Sequence, residues 1–208
     1  MRQRDCRVPW RWCLMLLPAL FLCGPAKAGN TSEELIEALR AGGLVVYLRH
    51  ADTTGEPRDA TMDLADRSRQ RNLSAAGRDQ ARRIGEAVER LGVPVATVET
   101  SPVFRARDTA ELAFGEARTQ VNEMLTADDY VRGSYAAYAA YLRERFSTPP
   151  EEGNTWLVGH IVPLSIALGE GITRQTFGEG AAAVFDPLGE QEGYRLIGIL
   201  AAGWEEAD

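Results

Sequence analysis

Cysteine is missing from the sequence after residue 23. The chain has 208 residues and three cysteines, and all three lie near its start: Cys6, Cys13 and Cys23. A domain that begins after this segment has no disulfide framework, no thiol nucleophile and no cysteine-ligated metal. Any chemistry in that domain must therefore come from nitrogen and oxygen side chains.

A hydrophobic run long enough to cross a bilayer is also missing. The apolar run from about residue 12 to residue 22 is shorter than the roughly 20 residues that a transmembrane helix needs. It follows an arginine-rich start and precedes small residues at Ala26 and Ala28, the pattern of a secretory signal peptide with an A-x-A cleavage site. We therefore predict that residues 1 to 28 are cleaved and that the protein is periplasmic or secreted, with no stable membrane insertion.

A lipid anchor is the alternative use of this first segment. Cys23 would then be the lipidated residue of a lipoprotein, but Leu22 precedes it where a small residue is expected. The cleaved signal peptide is the preferred interpretation. Residues 29 to 208 are then long enough for one domain with a good core.

Positive charge is in deficit. The chain has 23 Lys and Arg against 30 Asp and Glu, and a formal net charge of −7 at pH 7. Five of the basic residues and one acidic residue lie before residue 29, which leaves 18 basic and 29 acidic residues, a net charge of about −11. Such a charge argues against nucleic acids and anionic membranes as partners.

The rest of the sequence alternates between helical and strand patterns. Capped amphipathic segments begin near residues 31, 74 and 133, and a helix is expected to begin at Ser101-Pro102. Apolar strands are predicted at residues 44 to 48, 95 to 100, 155 to 159, 181 to 187 and 194 to 200, with a short one at 119 to 125. This order predicts an α/β fold, a three-layer α/β/α sandwich with a mostly parallel sheet.

Histidine and arginine side chains, which can bind or react with an anion, follow the ends of three predicted strands. Arg49 and His50 follow the first strand, Arg105 comes one turn after the second, and His160 follows the next long strand. The chain has only two histidines, and both hold such a position. Ligands of parallel sheets bind outside the carboxyl ends of the strands, so these side chains are expected around one crevice.

Each of these residues alone has an ordinary explanation. A histidine after a strand is more often a packed or surface residue than a catalyst, and an arginine in a first helical turn is usually solvated. Together, two imidazoles and two guanidiniums would repel each other unless an anion lay between them. Guanidinium groups match phosphate oxygens in pairs, and a helix N-terminus adds backbone donors.

Four motifs in fixed order resemble one known family. They are LRHA at 48 to 51, RNLSAAGRDQA at 71 to 81, TSPVFRARDTAELAF at 100 to 114 and LVGH at 157 to 160. The set is similar to the histidine phosphatase superfamily, whose fold is the phosphoglycerate mutase-like one, and most of all to its small periplasmic members. The resemblance covers residues 44 to 200.

The resemblance implies a role for each residue that matches the family's motifs. His50 attacks phosphorus and becomes the phosphohistidine, while Arg49, Arg105 and His160 hold the phosphoryl oxygens. The implied activity is that of a histidine acid phosphatase-type phosphomonoesterase acting on a small-molecule phosphomonoester. No metal and no cofactor are expected, because the guanidiniums supply the positive charge. Ile161, Val162 and Pro163 after His160 depart from the small residues common in the family.

The general acid and the rim of the site are less well determined. The resemblance favours Glu123, after the short strand, as the acid that protonates the leaving oxygen, with Glu179, Asp128 and Asp129 as alternatives. Thr53, Thr54 and Asn72 are candidates for hydrogen bonds from the lip of the site, although turn formation explains them equally well.

Three other functions are open to such a sequence. A phosphoryl-transfer mutase would use the same residues, but the short segment between Arg105 and His160 leaves little room for the lid of a mutase. A non-catalytic periplasmic protein that binds a phosphorylated ligand would not need His50 and His160. A Ser-His-Asp hydrolase is disfavoured because the sequence lacks a G-x-S-x-G motif.

Overall fold

A computed structural model describes residues 30 to 53, 59 to 169, 171 to 187 and 193 to 206. The predicted signal peptide and Thr54 lie outside these residues. None of the helices in the described ranges combines the length and the apolar character needed to span a bilayer.

Within the described residues, the chain forms five α-helices and six strands. The helices are α1 (Ser32–Ala41), α2 (Ala75–Arg90), α3 (Phe104–Phe114), α4 (Tyr135–Ser147) and α5 (Ile161–Leu168). The strands are β1 (Val45–Arg49), β2 (Val95–Thr100), β3 (Thr119–Val121), β4 (Asn154–Gly159), β5 (Ala182–Asp186) and β6 (Arg195–Leu200). Helices and strands alternate as far as β5, which β6 follows without a described helix between them.

The six strands form one sheet in the order β3-β2-β4-β1-β5-β6. The first four strands in this order pair in parallel, whereas β5 runs antiparallel to both β1 and β6. The predicted mostly parallel sheet is therefore confirmed. Because β1, β2 and β4 run parallel to one another, their carboxyl ends all lie at the same edge of the sheet.

The sheet has a hydrophobic core on each face. Alternate residues of a strand point to opposite faces, so Val46 and Leu48 of β1 pack with α1, α2 and α3, while Val45 and Tyr47 pack with α4 and α5. All four side chains are buried, which is typical of a parallel sheet covered on both faces. The predicted three-layer sandwich is confirmed.

Capping residues in the sequence determine where the first two helices begin. Thr31 and Glu34 form a capping box at α1, and the Ser74 hydroxyl accepts a hydrogen bond from the Gly77 N–H at α2. The third helix begins later than expected, at Phe104, with Val103 as its N-cap residue. Ser101 is therefore not the cap. Its hydroxyl accepts a hydrogen bond from the Val103 N–H in the turn before the helix.

Candidate active site

The carboxyl ends of β1, β2 and β4 bring the predicted residues together. Register pairs Arg49 with Gly159 and Thr100 with Val158, so His50, Ser101 and His160 follow three adjacent strand ends. The rings of His50 and His160 lie 5.4 Å apart, centroid to centroid. Arg105, in the first turn of α3, faces the same cavity.

His50 is held as a neutral imidazole with one free nitrogen. Its ring is buried, and Nδ1 lies 2.9 Å from the carbonyl oxygen of Ala51. A carbonyl only accepts, so Nδ1 carries the proton and Nε2 keeps its lone pair. Burial first, and then the charge of Arg105, lower the pKa of His50 well below its usual value. The geometry prepares Nε2 as a nucleophile.

The backbone of His160 is tied to β1 by a tyrosine. The Tyr47 hydroxyl donates a hydrogen bond to the His160 carbonyl and accepts one from the His160 N–H, both at 2.9 Å. A Cβ at residue 159 would lie 2.3 Å from this hydroxyl, so the position requires Gly159. Tyr47 and Gly159 together fix the position of the His160 backbone, from which the imidazole ring extends.

The ring of His160 is oriented by Ser101. Nε2 lies 2.9 Å from the Ser101 hydroxyl, and that hydroxyl already accepts a bond from the Val103 N–H. Either atom of this pair can donate, so we assign the hydroxyl proton to the bond with Nε2, and in this assignment the imidazole proton lies on Nδ1. Burial and the charge of Arg105 lower the pKa of His160. Its buried Nδ1 has no hydrogen-bond partner among the described residues.

Arg49 and Arg105 are buried and anchored, yet each keeps an unpaired donor. Arg49 donates to the Phe177 carbonyl at 2.7 Å and to Glu179 at 3.4 Å, and Arg105 donates to Asp59 at 2.8 Å. The Nε atoms of both arginines are buried without a partner in the described part of the chain. With Nδ1 of His160 they make three unpaired N–H donors, which suit the oxygens of a phosphoryl group.

These donors surround a small polar cavity of about 110 Å³. This volume is well below the roughly 300 Å³ at which pockets for drug-sized ligands begin. The cavity therefore holds little more than a phosphoryl group. Its described lining is mostly charged and consists of Arg49, His50, Asp59, Arg71, Arg105, Asp128, Asp129, His160, Ile161, Val162 and Arg174.

Of the acid candidates, Asp128 and Asp129 line the cavity, whereas Glu123 and Glu179 are not part of its described lining. Burial, and then the charge of Asp129, raise the pKa of Asp128, which favours the protonated form. Glu179 lies beside the site, but its oxygens already accept bonds from Arg49 and from the backbone and hydroxyl of Thr53. It acts there as an acceptor.

Glu123 does not reach the described lining of the cavity. The segment expected to be a strand from 119 to 125 is a strand only to Val121, and a short 3-10 helix, Glu123–Leu125, follows it. This turn buries Leu125 and leaves Glu123 exposed. The position of Glu123 therefore gives no support to its family-based choice as the acid, whereas the next acidic residue along the chain, Asp128, lines the cavity.

The lip candidates have structural partners. The Thr53 hydroxyl donates to Glu179 at 3.0 Å, and the Asn72 amide donates to the carbonyls of Arg67 and Gln70. Both side chains therefore hold loops in place, which is the turn-forming explanation. Thr54 falls outside the described residues.

Sequence reasoning missed three charged residues of the cavity: Asp59, Arg71 and Arg174. The first two lie in the long polar segment after β1, and the third lies between α5 and β5. Loop residues of this kind carry no periodic signal, so only their place near the motif RNLSAAGRDQA marks Arg71. Within the described ranges, no group of three or more His, Cys, Asp or Glu side chains forms a metal site.

Solved structures show the same fold. The protein histidine phosphatase SixA in complex with tungstate has a TM-score of 0.53 and 18% sequence identity, covering 76% of this chain and 97% of SixA. A phosphoserine phosphatase mutant from Entamoeba histolytica with phosphoserine has a TM-score of 0.51 and 14% identity, covering 77% and 98%. The alpha-ribazole phosphatase from Shigella flexneri has a TM-score of 0.50 and 17% identity, covering 74% and 94%.

Sequence comparison gives the family. A search of curated proteins gives no significant match. The family model described as histidine phosphatase superfamily (branch 1) matches residues 45 to 169, more than half of the chain. This range contains His50 and His160 together with the two buried arginines of the cavity, Arg49 and Arg105. The chain belongs to the histidine phosphatase superfamily, branch 1.

Proposed function

We propose that the protein is a phosphatase of the histidine acid phosphatase type, which hydrolyses a small phosphomonoester through a phosphohistidine on His50. One observation carries the proposal. A buried neutral imidazole with a free Nε2 lies beside three buried N–H donors that lack a protein partner among the described residues. Such donors stabilise an anion, and the nearby imidazole is free to attack it.

In the first step the phosphoryl group moves from the substrate to His50. Nε2 attacks phosphorus, the bond between phosphorus and the ester oxygen breaks, and the charge of the equatorial oxygens is stabilised by Arg49, Arg105 and His160. The Nδ1–H bond to Ala51 stabilises the positive charge that develops on the ring. Asp128 donates its proton to the leaving oxygen, so the product leaves as a neutral alcohol.

In the second step water takes the phosphoryl group. The Asp128 carboxylate accepts a proton from water as water attacks phosphorus and the bond to Nε2 breaks. The products are inorganic phosphate and the starting enzyme, with the proton back on Asp128. The chain between Arg105 and His160 forms the rest of α3, β3, short turns, α4 and β4, which leaves no further segment for the lid of a mutase. This supports water, not a second substrate, as the acceptor of the phosphoryl group.

The location of this activity is part of the same proposal. We expect the phosphatase to act outside the cytoplasm, because the first 28 residues have the pattern of a signal peptide. Its substrate is then a phosphomonoester that is found in the periplasm or outside the cell.

The experiment that tests the proposal is trapping of the phosphoenzyme. Wild-type protein quenched during turnover of nitrophenyl phosphate should gain one phosphoryl unit on His50, stable in alkali and lost in acid. His50→Ala should not be labelled, and its kcat should be at least 1,000-fold lower, as expected for removal of a nucleophile. A chelator should leave the wild-type rate unchanged.

Two results would contradict the proposal. One is full activity in a folded His50→Ala variant, and the other is activity that a chelator removes and a divalent ion restores. Binding of phosphate without turnover by folded wild-type protein, on a panel of alkyl and aryl phosphates, would favour the non-catalytic binding protein instead.

A further inference from the structure

Four guanidinium groups line the cavity, although the phosphoryl-transfer step needs only two. Arg49 and Arg105 are buried at the bottom, next to the histidines. Arg71 comes from the chain after β1 and is partly buried, and Arg174 comes from the segment before β5 and is exposed. The second pair therefore lies nearer the mouth of the cavity than the first.

The two pairs differ in how their charges are compensated. Glu179 pairs with Arg49 at 3.4 Å and Asp59 pairs with Arg105 at 2.8 Å. No carboxylate in the described part of the chain forms an ion pair with the guanidinium of Arg71 or Arg174. The loop at Arg71 is held instead through its backbone, because the Arg71 N–H donates to Asp59 at 2.5 Å.

The unpaired charges repel their neighbours. Burial, and then the charge of Arg105, lower the pKa of Arg71, while Glu179 and Asp59 act in the opposite direction. Burial also lowers the pKa of Arg49, and the charges of Arg174 and Arg71 add to this lowering against the attraction of Glu179. Asp128 and Asp129 line the same cavity, yet neither forms an ion pair with these arginines. A further anion at the mouth would relieve this repulsion.

The size of the cavity shows where that anion would lie. About 110 Å³ holds the transferred phosphoryl group, so the leaving group of a substrate must extend toward the mouth. Arg71 and Arg174 are the described arginines that meet it there. Guanidinium groups bind carboxylate and phosphate oxygens in pairs, and such charged hydrogen bonds contribute roughly 1.5 to 3 kcal/mol each.

We propose that Arg71 and Arg174 form a second anion subsite that binds an anionic group on the leaving-group side of the substrate. The substrate class is then a phosphomonoester whose alcohol carries a second phosphate or a carboxylate a few bonds from the ester. This inference rests on the proposed phosphatase function, and it restricts that function to substrates that carry an anionic group in addition to the phosphomonoester.

The test uses three substrates with the same three-carbon leaving group. Propyl phosphate has no second anion, 3-phosphonooxypropanoate adds a carboxylate, and propane-1,3-diol bisphosphate adds a phosphate. At constant ionic strength, wild type should show a kcat/KM about 10- to 100-fold higher for one or both of the latter two, the factor that one charged hydrogen bond provides. Which one is preferred distinguishes a carboxylate from a phosphate subsite.

Variants assign this preference to the two arginines. Arg71→Gln and Arg174→Gln should each lower the ratio of kcat/KM between the doubly charged substrate and propyl phosphate by about tenfold. The matched control is Arg118→Gln, which removes the same charge just before β3, at the opposite end of the strands from the cavity. It should keep the wild-type ratio.

Two outcomes would overturn the inference while the proposed function stands. In one, the wild type turns over all three substrates equally well. In the other, Arg71→Gln and Arg174→Gln lower kcat/KM for all three by the same factor, which would place both arginines in the phosphoryl pocket itself.

A binding measurement keeps the test decisive if no substrate is hydrolysed. Calorimetry would compare inorganic phosphate with methylenebisphosphonate on the wild-type protein. The subsite predicts tighter binding of the bisphosphonate, with the excess lost in Arg71→Gln and Arg174→Gln and kept in Arg118→Gln. Equal losses for both ligands would overturn the subsite, and failure of turnover alone would count only against the phosphatase.

Discussion

His50 and Asp128 line the same cavity with opposite pKa shifts. Burial lowers the pKa of the imidazole and raises that of the carboxyl, because it disfavours the charged form of each. In the proposed mechanism, His50 attacks when it is neutral, above its lowered pKa, and Asp128 donates when it is protonated, below its raised pKa. The same physical effect would then prepare both the nucleophile and the acid.

The role of Asp128 can be tested with leaving groups of different basicity. An alkyl oxygen must be protonated as its bond to phosphorus breaks, whereas nitrophenolate leaves almost unaided. Asp128→Asn should slow single-turnover phosphorylation of His50 by roughly 100- to 10,000-fold with an alkyl phosphate and far less with nitrophenyl phosphate. Single turnover is needed because kcat can report the second step.

Two other carboxylates serve as comparisons for this experiment. Glu179→Gln should slow both substrates by similar factors, because Glu179 holds Arg49 and Thr53. Glu123→Gln should show no leaving-group dependence, because its side chain is exposed and away from the described lining. If the dependence appears in either of these variants and is absent from Asp128→Asn, Asp128 is not the acid.

The contact between α2 and α3 positions Arg105 at the level of whole elements. A Cβ at Gly85 of α2 would lie 2.1 Å from the carbonyl oxygen of Ala113 in α3. The two helices can approach this closely only because residue 85 has no side chain. The first turn of the same helix carries Arg105, so this contact helps to set the position of α3 and, with it, of Arg105.

Replacing Gly85 by alanine should destabilise the protein, although the same change stabilises most helices. A glycine-to-alanine change inside a helix normally stabilises by about 1 kcal/mol. Gly85→Ala should instead lower the free energy of unfolding by about 1 to 3 kcal/mol, because the two backbones must move apart. Chemical denaturation measures the change, and kcat/KM should fall with it as Arg105 shifts.

The exposed neighbour Glu86 provides the control for this experiment. Glu86→Ala, on the same turn of α2, should change the free energy of unfolding by less than about 0.5 kcal/mol. A Gly85→Ala variant that is more stable than the wild type would show that the two helices are not held as closely as described.

The stability of the whole molecule should depend on pH through its two histidines. Both are buried, and burial lowers both pKa values well below 6.5. As pH falls through about 6.5, the unfolded chain takes up protons that the folded protein does not, so stability falls. The slope approaches about 1.4 kcal/mol per pH unit for each histidine until the folded pKa values are reached.

Denaturation between pH 7.5 and 5.5 in a phosphate-free buffer tests this dependence. Phosphate must be absent because a ligand that binds the folded state stabilises it. A variant with glutamine in place of both His50 and His160 should lose most of the slope in this range. A flat wild-type profile, or the same slope in the double variant, would contradict the buried neutral state. The raised pKa of Asp128 has the opposite sign and acts at lower pH.

At the level of the full chain, we propose that the protein is exported. We expect the mature protein to begin at Gly29, because small residues at Ala26 and Ala28 complete the cleavage pattern. The intact mass of the protein recovered from the periplasmic fraction measures this directly. A lipid-modified Cys23 in a membrane fraction would favour the lipoprotein, and an uncleaved chain in the cytoplasm would contradict export.

The sequence by itself determined the sheet and the centre of the site. Apolar strands alternate with capped helices, and these local patterns are enough to predict a parallel sheet covered on both faces. His50 and His160 directly follow their strands, and Arg105 lies in the first turn of the helix after β2. Since parallel strands end at the same edge, the topology brings these residues together without any knowledge of the side-chain packing.

Only the tertiary structure decided which side chains complete the site. Asp59, Arg71 and Arg174 lie in connections whose path depends on packing and carries no periodic signal, and the turn after β3 leaves Glu123 outside the described lining that contains Asp128. The proton on His160 depends on Ser101, a contact between residues 59 positions apart in the chain. Protonation, charge pairing and burial arise from such distant contacts, so they become visible only once the chain is folded.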